Sequence, residues 1–144
     1  MRIAIGCDHR GLNTKHLVIE HATGKGHQCQ DFGCFTTDPV DYPDIARDVA
    51  SAVARGDFER GILICDTGIG MSISANKIKG IRAALCHDSF GAERCRRHND
   101  ANVLCLGTQE EPRRLDDIVN SFLQTSFEGG RHIARLGKIR ALES

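Results

Sequence analysis

The sequence lacks an excess of either charge and lacks a long apolar run. Its 19 Lys and Arg side chains balance 19 Asp and Glu side chains, so the formal net charge is zero. Nothing in that balance suggests a surface for nucleic acid or another polyanion. No window approaches the roughly 18 apolar residues that a membrane span needs. Residues 1–6 have the pattern of a strand rather than of a signal peptide. We therefore expect a cytoplasmic protein with no nucleic-acid or membrane partner.

Paired-cysteine motifs are also missing, although cysteine itself is abundant. The chain has seven cysteines, an odd number, and no two are spaced as Cys-x-x-Cys. This pattern favours neither a disulfide framework nor a zinc site. We expect most of them to be reduced thiols that pack like small apolar side chains. No metal site is predicted.

The chain also has no internal repeat, low-complexity tract or linker-like stretch. Its 144 residues, 40% of them hydrophobic and 26% charged, fit one globular domain over 1–144. Strand-like and helix-like segments alternate along it. The predicted strands are 2–6, 27–31, 61–65, 81–85 and 102–106. The predicted helices are 12–22, 42–55, 71–77, 89–97, 112–124 and 131–142. Leu12, His16, Ile19 and Ala22 form the predicted apolar face of the first helix, and Ser89 is the predicted N-cap of the fourth.

This alternation predicts an α/β fold with an open five-stranded parallel sheet and helices on both faces, similar to flavodoxin and Rossmann folds. Right-handed crossovers bring the carboxyl ends of all strands to one edge, where such folds bind ligands. The segments richest in reactive side chains follow strands in the sequence. They are residues 7–11, 65–72, 87–88 and 107–109.

The segment after the first strand places Asp8, His9 and Arg10 in one short loop. Aspartate can accept a hydroxyl proton, and histidine and arginine can hold an anion such as a phosphate. A turn with solvated charges is the alternative interpretation. The position at the carboxyl end of a strand favours a ligand site.

The segment after the third strand is glycine-rich and precedes a helix. Gly68 and Gly70 permit a tight turn whose backbone N–H groups can stabilise a phosphate or a developing oxyanion. Cys65 lies at the strand end, where a helix N-terminus favours the thiolate, so a thiolate base is plausible. A dinucleotide fingerprint competes with this interpretation. Its third glycine position is occupied by Ile73, and only Asp88, about 20 residues further on, supports it.

Two later segments are weaker signals. His98 lies between a helix and the fifth strand, where a lone histidine is usually a cap or a surface residue, so a structural and a functional role both stay open. Arg131 and Arg135 are four residues apart and share one helix face. Two guanidinium groups on one face suit a phosphate, and a solvated basic face is the alternative.

Taken together, these segments resemble the ribose-5-phosphate isomerase B family, which also includes galactose-6-phosphate isomerase subunits. The matching stretches occur in the family's order nearly from end to end. They are Gly6-Cys7-Asp8-His9, Asp41-Tyr42-Pro43-Asp44, residues 61–65, Thr67-Gly68-Ile69-Gly70-Met71-Ser72-Ile73, Ala75-Asn76-Lys77, Gly80-Ile81-Arg82-Ala83, residues 98–104 and Glu128-Gly129-Gly130-Arg131-His132.

The resemblance implies a flavodoxin-like sheet and a homodimer, often paired into a tetramer, with active sites shared between subunits. The last helix is expected to reach the partner. Isomerisation of ribose 5-phosphate and ribulose 5-phosphate in the pentose phosphate pathway is implied, without a metal or any other cofactor. The implied catalytic residues are Cys65 as the base between C1 and C2, Thr67 with the backbone of Gly68 to Gly70 at the cis-enediolate, and His98 with Asp8 for ring opening.

The resemblance also implies the groups that hold the sugar phosphate. Tyr42 and Asn99 are expected at the sugar hydroxyls, and His9, Arg131 and Arg135 at the phosphate. His98, Asn99 and the two arginines are expected to come from the partner chain. The full predicted substrate-binding set is His9, Tyr42, Asp66, Gly68, Gly70, Ser72, Asn99, Arg131 and Arg135.

Two positions depart from the family's common pattern. Asp66 replaces a glycine, and a carboxylate beside Cys65 disfavours the thiolate. Asp66 could turn away, contact a sugar hydroxyl or act as the base itself. Gln109 replaces an arginine that helps bind phosphate. The same reaction on a tetrose, allose or galactose phosphate is therefore an alternative. A non-catalytic module that binds sugar phosphates or nucleotides, and a flavin or redox protein, are further alternatives.

Overall fold

A computed structural model describes residues 1–143 as one parallel sheet flanked by helices. Within this range the strands are β1 (Arg2–Cys7), β2 (Gln28–Asp31), β3 (Arg60–Ile64), β4 (Ala83–Leu85) and β5 (Val103–Leu106). All neighbouring strands pair in parallel, in the order β2-β1-β3-β5-β4. The predicted five-stranded parallel sheet is confirmed. Because β2 and β3 lie on opposite sides of β1, the chain changes direction across the sheet between β1 and β3, which is where such folds open a crevice.

The helices lie on both faces of the sheet, as predicted. They are α1 (Leu12–Gly24), α2 (Tyr42–Ala54), α3 (Ile69–Ala75), α4 (Ser89–Asn99), α5 (Pro112–Gln124) and α6 (His132–Ala141). One core joins β-strand side chains such as Ile62 and Ile64 to α1, α4 and α5. The other joins the alternate side chains, including Leu63 and Cys65, to α2 and α3. The period of two along buried β3 therefore separates the two cores.

The last helix, α6, differs from the others because little of it is buried. It begins at His132, one residue later than predicted, and His132 is its buried residue. Ile133 is 61% exposed, and Leu142 is 84% exposed. That α6 reaches a partner subunit remains a prediction.

Two details of the predicted helices were wrong. His16 is exposed, whereas its neighbour Lys15 is fully buried. The Lys15 Nζ lies 2.8 Å from Asp31 Oδ1 and also donates to the Cys34 carbonyl, so the buried lysine charge is paired with the Asp31 carboxylate. The N-cap of α4 is Asp88 rather than Ser89, since its carboxylate accepts the Gly91 N–H at 2.7 Å.

The glycine-rich segment also begins its helix earlier than predicted. Strand β3 ends at Ile64, so Cys65 is the first loop residue, and α3 begins at Ile69 rather than at 71. Gly68 caps this helix with a left-handed φ of 79°. The turn is tighter than the sequence pattern indicates, which brings Cys65 nearer to the helix N-terminus.

The thiols behave as predicted within the described part of the chain. All seven are free, and each except Cys29 is buried. Burial raises the pKa of Cys7 to about 12, so that thiol stays protonated near neutral pH. Among residues 1–143, no helix combines the length and the apolar character needed to cross a membrane.

Candidate active site

Three loops are joined by backbone hydrogen bonds where β1, β3 and β5 end. The Asp8 N–H donates to the Ile64 carbonyl at 3.1 Å, and the Cys65 N–H donates to the Leu106 carbonyl at 3.3 Å. The Thr108 N–H donates to the Asp66 carbonyl at 3.1 Å. The reactive side chains that follow these strands are therefore fixed to one another by the sheet edge, as the topology predicted.

Cys65 lies against the turn that begins α3. Its Sγ accepts the Gly68 N–H at 3.2 Å, and the side chain is 5% exposed. The turn requires glycine, since a Cβ on Gly68 would lie 2.6 Å from Leu85 Cδ1 and 2.9 Å from the Leu106 carbonyl carbon. An N–H group that donates to sulfur stabilises negative charge on it. The local fold thus supplies a sulfur suited to accept a proton.

The first turn of α3 leaves backbone donors beside this sulfur. Thr67 Oγ1 accepts the Ile69 N–H at 3.2 Å, and Ser72 N–H makes the first intrahelical bond, to the Gly68 carbonyl at 3.0 Å. The Gly70 N–H therefore precedes the first intrahelical donor and lies at the positive end of the helix. This arrangement can stabilise an oxyanion near Cys65.

Tyr42 closes one side of the same turn. It is the first residue of α2 and is 39% exposed. Its ring occupies the space that a Cβ on Gly70 would need, with the phenolic oxygen 2.8 Å from that position. Glycine at 70 is therefore required by the close approach of the tyrosine. The phenol is available to contact a ligand over the N-terminus of α3.

Asp8 and His9 lie at the same carboxyl edge of the sheet. Together with Tyr42, Cys65 and the first turn of α3 they form the carboxyl-edge group. The Asp8 side chain is buried, and its Oδ1 accepts the N–H groups of Arg10 and Gly11 at 3.0 and 3.2 Å. His9 Nδ1 accepts the Val40 N–H at 3.2 Å. Because a backbone N–H can only donate, the bonded neutral ring carries its proton on Nε2 and can donate it to an anion. The predicted phosphate role of His9 is compatible with this geometry.

The remaining predicted residues lie at the opposite edge of the sheet. Helix α4 starts at the carboxyl end of β4 and returns to the amino edge, where Asn102 bonds the backbones of Arg82 and Gly61. Its eleven residues span about 16 Å. His98 and Asn99 end this helix and therefore lie at the amino edge. The chain brings together Asp8, Tyr42 and Cys65 but does not bring His98 to them.

Arg131 and Arg135 lie with His98 and Asn99 at the amino edge and form the amino-edge group with them, because α6 begins beside the end of α4. The Glu128 N–H donates to the Arg97 carbonyl at 3.0 Å, which fixes the start of this segment to α4. Arg131 Nη1 lies 3.5 Å from Glu128 Oε1, and Arg135 is exposed on α6. The two guanidinium groups are therefore near His98 rather than near Cys65 of the same chain.

Sequence reasoning missed Glu128 and His132 as neighbours of His98. The His98 and His132 rings stack at 4.4 Å with an interplanar angle of 18°. Both Nε2 atoms approach Glu128 Oε2, at 3.8 and 3.9 Å. Burial, followed by the charges of Arg131 and His98, lowers the pKa of His132, so its ring is neutral at pH 7. The four-residue spacing of Glu128 and His132 was the available signal.

A cavity of about 420 Å³ adjoins the carboxyl-edge group. Glu110 in its lining has two basic neighbours: His87 Nδ1 lies 3.6 Å and Arg114 Nε lies 3.8 Å from the carboxylate. Asp66 and Gln109, the two residues that differ from the common pattern of the resembled family, both line this cavity. The full lining is Asp66, Thr67, Ile69, His87, Gly107, Gln109 and Glu110.

Comparisons with known proteins agree over nearly the whole chain. The model of the Ribose/Galactose Isomerase family matches residues 3–139. Ribose-5-phosphate isomerase B of Escherichia coli is 44% identical over 143 residues, which cover 99% of this chain and 96% of that protein. A solved type B ribose 5-phosphate isomerase of Trypanosoma brucei matches with a TM-score of 0.96 and 46% identity, covering 99% of this chain and 98% of that one.

One similar structure contains a sugar phosphate. Ribose-5-phosphate isomerase B of Mycoplasma genitalium, solved with bound ribulose-5-phosphate, matches with a TM-score of 0.94 and 42% identity. The match covers 99% of this chain and 95% of that one.

Proposed function

This chain belongs to the ribose/galactose isomerase family, and we propose that it is an aldose–ketose isomerase that interconverts ribose 5-phosphate and ribulose 5-phosphate. The observation that carries this proposal is the position of Cys65 Sγ against the N-terminus of α3, at the sheet edge that also holds Asp8. A similar structure with bound ribulose-5-phosphate supports the choice of substrate.

The proposed chemistry passes through a cis-enediolate. A proton next to a carbonyl is weakly acidic, so its removal needs a base together with stabilisation of the oxyanion. The Cys65 thiolate removes the C2 proton of the open-chain aldose and later delivers it to C1. Negative charge formed on O1 is stabilised by Thr67 and the Gly70 N–H, and the O2 proton moves to O1. The result is the ketose, with the thiolate restored.

Ring opening and phosphate binding are assigned to groups from two chains. Asp8 and His98 would move protons between the ring oxygen and the anomeric hydroxyl. His9 would bind the phosphate from one chain, and Arg131 and Arg135 from the other. Support comes from the separation of the two groups at opposite sheet edges, because a partner's amino edge could complete the carboxyl edge. We therefore propose a homodimer, alone or paired into a tetramer, as the active form.

The proposed location is the cytoplasm. Seven free thiols suit a reducing compartment, and disulfides form mainly in oxidising ones. The proposed substrate is also a phosphorylated metabolite.

A second candidate is the same reaction on a different phosphosugar. The cavity beside Thr67 supports it, because Asp66 and Glu110 line that cavity together with Gln109. Carboxylate and amide groups accept hydrogen bonds from hydroxyl groups, whereas carboxylates repel a phosphate. A tetrose, allose or galactose phosphate would present a different set of hydroxyls to this wall.

The test is ribulose 5-phosphate formation from ribose 5-phosphate by the purified, metal-stripped protein. We expect Cys65→Ala to reduce kcat by about 10²- to 10⁴-fold, the usual contribution of a general base. Cys29→Ala is the matched control, since Cys29 lies on β2 and should leave activity unchanged. Full activity in Cys65→Ala, together with loss in Asp66→Asn, would transfer the base role to Asp66.

A further inference from the structure

The side chains around His98 form a cluster with the composition of a metal site. His98 Nε2, His132 Nε2 and one Glu128 carboxylate oxygen lie within 4.8 Å of one another. Two imidazoles and one glutamate are a ligand set that Zn²⁺ accepts in proteins, with the fourth position open to water. The cluster is separate from Cys65 of the same chain, and it takes no part in the proton transfer between C1 and C2.

A second observation shows that the cluster lacks a partner for one of its own atoms. His132 Nε2 is buried and makes no hydrogen bond within the described part of the chain. Its side chain is 6% exposed, and this nitrogen faces Glu128 Oε2 at 3.9 Å. Buried polar atoms without a partner are rare and costly. A bound cation would satisfy both the nitrogen and the carboxylate.

The three ligands fit a divalent transition metal after a shift of the carboxylate and a turn of one histidine ring. With bonds of about 2.0–2.2 Å, two ligand atoms in tetrahedral geometry lie about 3.3 Å apart. The separations of Glu128 Oε2 from His98 Nε2 and His132 Nε2 are 3.8 and 3.9 Å. Movement of the carboxylate by about half an ångström closes these gaps. The two Nε2 atoms lie within 4.8 Å of each other and their rings stack with an interplanar angle of 18°, so the partly exposed His98 ring must also turn to point both lone pairs at one ion. His98 and Glu128 are about one-third exposed, which provides access from solvent.

The backbone holds the three ligands in place without a metal. The Glu128 N–H is bonded to the end of α4, at the residue before His98. Gly129 and Gly130 adopt left-handed φ angles of 73° and 57°, which turn the chain so that His132 returns beneath Glu128. The ligands therefore come from two segments whose backbones are already joined, and a metal would reorient side chains only.

Two neighbouring cations limit the expected affinity. Arg97 Nη2 lies 3.7 Å from Glu128 Oε2, and Arg131 Nη1 lies 3.5 Å from Oε1. Both contacts are long for hydrogen bonds, and both guanidinium groups are exposed enough to turn into solvent. We expect binding weaker than in a dedicated zinc protein, and strengthened when one of these charges is removed.

We propose that His98, Glu128 and His132 form a binding site for a divalent transition-metal ion of the Zn²⁺ type. An ion in this site uses the Nε2 of His98 as a ligand. If His98 opens the sugar ring, as the proposed function states, the bound ion inhibits the enzyme. The site is thus an inhibitory one rather than a source of catalytic metal.

The direct test is titration of the metal-stripped protein with Co²⁺, followed by its visible absorption, with Zn²⁺ as the competitor. We expect one equivalent per chain. His132→Gln and Glu128→Gln should each weaken binding at least about tenfold. Arg97→Gln should strengthen it roughly two- to fivefold, because it removes a competing charge. Circular dichroism checks that each variant is folded, and the more exposed Glu128 keeps the test valid if His132→Gln does not fold.

Two histidines outside the cluster provide matched controls. His16 is exposed on α1, and His27 Nδ1 lies 3.3 Å from the N-terminal amine, a pair that could itself hold a metal. His16→Gln and His27→Gln should leave Co²⁺ binding unchanged. Absence of binding, equal binding in the cluster variants, or loss of binding only in His27→Gln would each overturn the proposal.

An activity measurement tests the inhibitory role separately. Zn²⁺ should inhibit isomerisation at the concentrations that displace Co²⁺, and EDTA should reverse the effect. Co²⁺ absorption needs no substrate, so failure of the proposed function leaves the metal test intact. If the protein is active and binds Co²⁺ at the cluster but Zn²⁺ does not inhibit, the inhibitory role is wrong.

Discussion

Asp66 and Gln109 give the clearest prediction at the scale of single residues. They are far apart in the sequence but line one cavity beside Thr67. We expect Asp66→Gly and Gln109→Arg to change the ratio of kcat/KM between ribose 5-phosphate and tetrose, allose or galactose phosphates by at least about tenfold. We expect a change of this size because polar groups of the cavity wall that pair with the hydroxyls of one sugar are left without partners when a different sugar binds.

The measurement compares kcat/KM for each phosphosugar in the two variants and the unmodified protein. Gln124→Arg is a matched control, since Gln124 is an exposed residue at the end of α5 outside this cavity. Unchanged ratios in Asp66→Gly and Gln109→Arg would show that this cavity does not select the sugar.

Single residues also show what the sequence could and could not predict. The positions of Asp8 and Cys65 at strand ends followed from buried apolar runs and the topology of parallel sheets. The burial of Lys15 did not, because it depends on Asp31, sixteen positions away and in a different element. The predicted face contained His16 and not Lys15, because a lysine is rarely fully buried unless its charge is paired.

At the scale of elements, the turn between β3 and α3 depends on one glycine. Alanine at Gly68 would combine a positive φ with a Cβ 2.6 Å from Leu85 Cδ1. We expect Gly68→Ala to lower the free energy of unfolding by about 2–4 kcal/mol through strain and overpacking. It should also reduce isomerase activity, since the N–H that contacts Cys65 moves.

Gly137 is the matched control for this substitution. It lies inside α6, and a Cβ there meets no atom within 4 Å. Gly137→Ala should raise the free energy of unfolding by up to about 1 kcal/mol, because alanine favours the helix. Urea unfolding measures the free energy of unfolding of both variants and of the unmodified protein. Equal stability of Gly68→Ala and the unmodified protein would show that the turn tolerates a side chain.

Elements were easier to predict than their ends or their order. Hydrophobic periods of two and of three to four identified each strand and helix of the described chain within about two residues. The error at α3 arose because the turn chemistry of Gly68 sets the helix start. The position of β5 between β3 and β4 was not predictable, since it depends on pairing between segments distant in the sequence.

At the scale of the whole molecule, the predicted active-site residues form two groups at opposite sheet edges. Asp8 and Cys65 lie at the carboxyl edge, and His98 ends a helix that spans about 16 Å toward the amino edge. No rotamer change closes such a distance. If all three act on one sugar, the site requires two chains, and a two-fold axis then gives each dimer two identical sites.

This arrangement predicts complementation between inactive variants. Cys65→Ala removes the carboxyl-edge base, and His98→Asn removes the amino-edge group, so each homodimer loses both of its sites. After mixing, partial unfolding and refolding, half of the dimers are mixed. In a mixed dimer one site carries both substitutions and the other carries neither. We therefore expect recovery of about one quarter of the unmodified activity.

The control is a mixture of Cys65→Ala with Cys65→Ser, which cannot regenerate an intact site and should remain inactive. Native mass spectrometry of the refolded mixture verifies that half of the dimers are mixed, because the two substitutions change the chain mass by different amounts. Random exchange fixes the fraction of intact sites at one quarter if each site takes Cys65 from one chain and His98 from the other. The amount of recovered activity therefore tests this arrangement, and not only whether the subunits share a site. Recovery near zero in verified mixed dimers would mean that Cys65 and His98 serve the same chain. The separation of the two edges would then have to close by a large movement of α4.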